Sequence, residues 1–146
     1  MAPLPLPPLL FQVQIMNIHL AETRKFLLFV NDKLSINQEK LAHLVNSGVV
    51  VVSASSTSKA LELLERVRFD AVLTDLYRLE NGANNGNAGI ELTLKIRSIN
   101  PYIPIIIYTK NLKPGVSQLA ATSGATLITT NPIELDHAIY KYVLKD

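Results

Sequence analysis

The chain has 146 residues, of which 48% are hydrophobic and 18% charged, and its formal net charge is +2. That length suits one compact domain with its own core, and the apolar share excludes a disordered chain. A near-neutral balance with no Lys/Arg cluster among aromatics argues against nucleic acid as a partner. The absence of cysteine excludes disulfides, Cys-ligated zinc and thiol catalysis, and agrees with a cytoplasmic location.

The N-terminal segment, residues 1–23, is expected to be a Pro-rich leader, with the domain proper at 24–146. Its Met1–Leu10 part has neither the basic start nor the cleavage site of a secretory signal. The run Pro5-Leu6-Pro7-Pro8 favours polyproline II, suited to a flexible leader or a docking peptide. Residues 9–23 fit either a strand or a short helix. No apolar run reaches the roughly 18 residues of a transmembrane helix, so no membrane partner is expected. His19, His43 and His137 have no metal-ligand spacing.

Arg24–Val30 is a continuous apolar run after two basic residues, read as a buried strand that ends on Asn31 and Asp32. Ser35-Ile36-Asn37-Gln38 is a capping box for a helix running to about Ser47, with Gly48 as its stop. Val49–Ala54 is a second strand. Thr57 or Ser58 opens a second helix, with Ala60, Leu61, Leu64 and Val67 as its apolar stripe and Lys59, Glu62, Glu65 and Arg66 towards water. Phe69–Leu76 is a third β-rich run, and it places Asp75 at a strand end. The stretch from Leu76 to Gly89 is Asn/Gly-rich and long for a connection between strand and helix, so it is expected to be a mobile loop.

A third helix is expected over Ile90–Ile99, and a fourth strand over Pro104–Thr109. Pro114 opens a fourth helix that stops at Gly124. Thr126–Thr130 makes a fifth strand. Asn131-Pro132-Ile133-Glu134 then caps a last helix to about Leu144.

Alternation of this kind demands parallel strands with helices on both faces, an α/β three-layer sandwich. Function in such sheets collects at the carboxyl ends of the strands, where Asn31, Asp32, Asp75, Thr109, Thr130 and Asn131 are found. Asp32 and Asp75 together can hold a hard cation such as Mg²⁺. A carboxylate at such a metal can act as a nucleophile towards phosphorus, helped by a hydroxyl such as that of Thr109 and by a cation. The cation is missing, since the fifth strand leads into Asn131.

These pieces in this order resemble the receiver domain of two-component response regulators, over about residues 24–144. The match is carried by Asn31-Asp32, Lys59-Ala60-Leu61, Phe69–Asp75, Gly89-Ile90-Glu91-Leu92, Pro104–Thr109, Gly124-Ala125 and Pro132. The resemblance implies a flavodoxin-like (βα)5 fold with sheet order 2-1-3-4-5, and a signalling module rather than an enzyme. It puts Asp75 on the phosphoryl acceptor and Thr109 on the switch hydroxyl. The metal-binding positions fall on Asp32, Asp75 and the backbone carbonyl of Tyr77, with Asn31 in place of the first acid. It implies Mg²⁺ as cofactor, a histidine kinase or phosphotransfer protein as donor, and a downstream protein on the face of the fourth helix, fifth strand and fifth helix. It also suggests a cis peptide before Pro132.

The departures are specific. Asn131 replaces the family's lysine, either as a hydrogen-bond donor to phosphate or simply as a helix cap. Asn31 removes one negative charge. Ile128 replaces the switch aromatic. The loop after Asp75 lacks the usual Met-Pro and is longer. Lys110 is a solvated lysine or a stand-in for the lost cation. The two readings are therefore a phosphoryl-accepting receiver with a weakened Mg²⁺ site and a phosphorylation-independent pseudo-receiver that binds proteins. A flavin or cobalamin binder is disfavoured, because Asn31–Ser35 has no glycine-rich cradle and no Asp-x-His-x-x-Gly motif occurs.

Overall fold

The computed structural model describes residues 24–32 and 38–145. The leader and the Ser35 capping box lie outside them. The elements are β1 (Lys25–Val30), α1 (Gln38–Asn46), β2 (Val49–Ala54), α2 (Thr57–Arg66), β3 (Ala71–Thr74), β4 (Arg78–Glu80), β5 (Ala83–Asn85), α3 (Ala88–Ile99), β6 (Ile105–Tyr108), α4 (Val116–Ser123), β7 (Leu127–Thr129) and α5 (Pro132–Ile139). A π-helical turn, Tyr140–Leu144, extends α5.

Five strands form a parallel sheet in the order β2-β1-β3-β6-β7, the expected 2-1-3-4-5 with the small β4–β5 pair left out of the count. β1 is interior, and Leu27, Leu28, Phe29 and Val30 are all buried. Strands covered on both faces read as unbroken apolar runs rather than alternating ones. Side chains nonetheless alternate between faces. Leu27 and Phe29 pack with Leu44 of α1 and Leu135 and Ile139 of α5. Leu28 and Val30 pack with Ala60 of α2 and Leu92 and Ile96 of α3. A smaller cluster of Leu76, Ile90, Ile107 and Ala120 seats α4.

The stretch after Asp75 corrects the expectation of a mobile loop. β4 and β5 pair antiparallel, Arg78 opposite Asn85 and Glu80 opposite Ala83. The turn between them is Asn81-Gly82, with φ of 53° and 79°. Positive φ at both central residues matches the right-handed twist of a hairpin, and Asn-Gly tolerates it best. α3 accordingly starts at Ala88, ahead of the expected Ile90. Its second residue, Gly89, donates its amide to the Leu76 carbonyl at 3.1 Å. A side chain there would meet the Asp75 carbonyl oxygen at 2.2 Å.

Three further expectations are corrected. α4 starts at Val116, with Gly115 as its cap, so Pro114 lies before the helix. The Asn131–Pro132 peptide is trans, as are all the described peptides. Asn131 is extended and its Oδ1 accepts from the Ile133 amide at 2.8 Å, with Pro132 as the first helical residue. Its own amide donates to Thr129 Oγ1 at 2.9 Å, which takes the place of the reciprocal bond expected from Glu134.

Candidate functional site

Parallel pairing brings the strand ends together. The Asp75 amide donates to the Val30 carbonyl at 3.1 Å, and the Thr109 amide to Thr129 at 3.1 Å. Above these ends lies a crevice of about 540 Å³, lined among others by Asn31, Asp32, Asp75, Tyr77, Arg78 and Thr109. The structure thus gathers every candidate residue of the acid pocket. Asn131 is not among the lining residues; it caps α5. Lys110 stands exposed at the rim.

The side chain that organises this pocket is Arg78, a residue the sequence reading did not single out. Its side chain is fully buried. Nε donates to Glu80 Oε1 at 2.8 Å. Nη1 donates to Thr74 Oγ1 at 3.0 Å and forms a close ion pair with Asp75 Oδ1. Nη2 donates to Thr57 Oγ1 at 3.0 Å and, at 3.4 Å, to the Ala88 carbonyl. A guanidinium has five N–H donors in a planar fork, and the five contacts here match that number. Glu80 is held in turn by Thr57, whose amide and hydroxyl donate to Oε1 at 3.0 and 2.7 Å. The network therefore joins the ends of β3, α2, the hairpin and α3. A second tie reaches β1: the Leu79 amide donates to Asp32 Oδ2 at 2.8 Å.

The pair environment sets the charges. Burial pushes the Asp75 carboxyl up to about 6; Arg78 opposes this and the negative charge of Asp32 adds to it. Its Oδ2 is buried with no hydrogen-bond partner. For Glu80, burial raises the carboxyl, but the bonds from Arg78 and Thr57 outweigh it and the net shift is downward. Thr109 is buried, and its hydroxyl donates to the Asn111 carbonyl at 3.0 Å, away from Asp75. Lys40 of α1 also lines the crevice. Its ammonium is paired with Asp136 at 3.1 Å.

The residues of the expected Mg²⁺ site do not fit a divalent cation as arranged. Asp75 Oδ1 is taken by a guanidinium and Asp32 Oδ2 by a backbone amide. Asn31 contributes no charge, and no group of three or more His, Cys, Asp or Glu converges among the described residues. A dication about 4 Å from a fixed guanidinium would be repelled by roughly 8 kcal/mol at an effective dielectric of about 20. That repulsion cancels the attraction of one carboxylate at the same distance, which leaves a single acid, Asp32, with one oxygen already bonded.

The roles of Arg78, Glu80 and Thr57 are hidden in the sequence because a polar, Asn/Gly-rich stretch after Asp75 reads as loop. The Asn81-Gly82 pair was the available signal, since it is a strong hairpin mark. It would have placed Arg78 on a strand directly after the Asp75 turn.

No described helix is long and apolar enough to cross a membrane. Among curated proteins, the chain is similar to the transcriptional regulatory proteins GlrR of Escherichia coli (strain K12) and QseF of Escherichia coli O157:H7. Each is 28% identical over 117 residues, which is 80% of this chain and 25% of the relative. The chain thus spans about a quarter of the length of these relatives. Among solved structures, chemotaxis response regulator CheY4 of Vibrio cholerae superposes with a TM-score of 0.65 at 25% identity, covering 83% of this chain and 100% of its own. The receiver domain of sensor histidine kinase PA1611 from Pseudomonas aeruginosa PAO1 has a TM-score of 0.66 at 24% identity, covering 84% and 100%. That receiver holds a magnesium ion in its active-site cleft. The response regulator receiver domain model matches residues 27–142, and with the strand order and the acid-ended β3 this makes the chain a member of the response regulator receiver domain family.

Proposed function

We propose that this receiver signals by protein contact, without a phosphorylation cycle at Asp75. One observation carries the reading: the acceptor carboxylate is already ion-paired with a buried, fully bonded arginine. A carboxylate in such a pair is a poorer nucleophile, because its charge is spent before phosphorus arrives. The supporting groups are spent as well. Asn131 caps α5, Thr109 bonds to Asn111, and Ile128 packs by Leu76 and Ile107 where an aromatic would swing. On the output side, Leu119 of α4, Ile133 of α5 and Tyr140 just after it are large exposed apolar side chains. They suit a downstream protein on the α4–β7–α5 face.

The second reading, a phosphoryl-accepting receiver, draws on the unbonded, buried Asp75 Oδ2 beside Asp32. In that case a histidine kinase or phosphotransfer protein would move the hairpin aside, and Asp75 would take the phosphoryl group. Incubation with acetyl phosphate and with Mg²⁺ plus beryllofluoride separates the two. The first reading expects no phosphoryl adduct by intact mass and no amide shifts at Asp75 and Thr109. Either signal, lost in Asp75→Asn, establishes the second.

A further inference from the structure

The acid pocket carries its own cation. We propose that Arg78 occupies the electrostatic place of a divalent ion, so that the native domain excludes metal and a latent metal site opens only when Arg78 is removed. The inference rests on the reading above and deepens it by naming what the pocket accepts.

Arg78 is not a surface arginine that folds back on an acid: its contacts run to Asp75, Thr74, Glu80, Thr57 and the Ala88 carbonyl. An incoming cation would have to break several buried hydrogen bonds at once, and the freed guanidinium would have no equivalent partners. Two anchors hold the guanidinium in register: the Asn81-Gly82 turn closes the strand it stands on, and Leu79 is tied to Asp32.

Asp32 and Asp75 line the same crevice, and the charge of Asp32 adds to the cost of ionising Asp75. Arg78 is the buried cation in contact with Asp75; Lys40 is spent on Asp136 and Lys110 is exposed. With Arg78 gone, Asp32 and Asp75 would remain in one crevice without a buried countercharge, and carboxylate oxygens with backbone carbonyls are what a hard dication takes.

The test uses Mn²⁺ as a paramagnetic probe on the full chain, read as broadening of the amide resonances of Asn31, Leu76 and Thr109. Native protein should show no selective broadening there. Arg78→Met should show it, with apparent Mn²⁺ affinity at least about tenfold above the native protein, and Mg²⁺ should raise its melting temperature. Adding Asp32→Asn should abolish both. Selective broadening in the native protein, or a folded Arg78→Met as blind as the native chain, overturns the proposal. Arg78→Lys keeps the charge without the fork and carries the test if the Met variant does not fold. Continued blindness then supports exclusion by charge, and acquired binding overturns it. Metal-free phosphoryl uptake at Asp75 would defeat the reading above and leave this inference standing.

Discussion

Arg78 shows how a buried charge becomes tolerable. A guanidinium loses several kcal/mol of hydration on burial, and only near-complete hydrogen bonding with opposite charges nearby offsets it. Both conditions hold here, through Asp75 and Glu80. The arrangement is consequently asymmetric to mutation. Arg78→Met should lower unfolding free energy by about 3 kcal/mol, since it leaves two partly buried carboxylates unpaired; urea denaturation at neutral pH measures it. Restoring balance with Glu80→Gln in the same chain should recover part of that loss, and a purely additive double variant would show that the two side chains are not coupled. The candidate acids were legible from the sequence because each ends an apolar run: Asp32 after β1, Asp75 after β3. Arg78 was not, because a lone arginine in a polar stretch reads as solvated. Its burial depends on a hairpin folding back over the sheet, a tertiary fact no local pattern carries.

The elements of the sheet were legible for a simple reason. Strands covered on both faces need unbroken apolar runs, and helices covering them need one apolar stripe, so the two periodicities separate cleanly. The connections were less so, and most of the differences lie there: the β4–β5 hairpin, the later start of α4, and the trans Asn131–Pro132 peptide. The junction between β3 and α3 makes a sharp prediction. Gly89 sits where a Cβ would meet the Asp75 carbonyl oxygen at 2.2 Å, with Leu76 Cα at 3.2 Å. The obstacle is backbone, so it cannot swing away as a side chain would. Gly89→Ala should therefore destabilise the domain by about 1–3 kcal/mol, despite alanine's better helix propensity. It should also disturb amides around Asp75, as measured by chemical-shift mapping. A neutral or stabilising result would mean that α3 can slide off the end of β3. That slide would leave the Arg78 contact with Ala88 without its geometric basis.

At the scale of the whole molecule, the acid pocket leaves a mark on stability against pH. Between its ordinary value of 3.8 and the raised value of about 6, the Asp75 carboxyl binds more protons folded than unfolded. Stability contributed by this group therefore falls as pH rises through that window. From pH 5 to pH 7 the loss is about 1 kcal/mol, from the linkage integral over those two values. Glu80 works in the opposite sense: its lowered carboxyl adds stability above its unfolded value, and that stability is lost only as pH falls through the folded one. Together these two groups favour mildly acid solution over neutrality. Urea midpoints at pH 5 and pH 7 should place the native chain higher at pH 5, and Asp75→Asn should remove that difference while leaving the loss at lower pH. A native chain more stable at pH 7 would mean that the Arg78 pairing outweighs burial, and that Asp75 is a settled anion rather than one held near its point of protonation. In that event the pocket would be an ordinary structural salt bridge, with the Asp32 backbone amide adding to Arg78 in favouring the charged carboxyl.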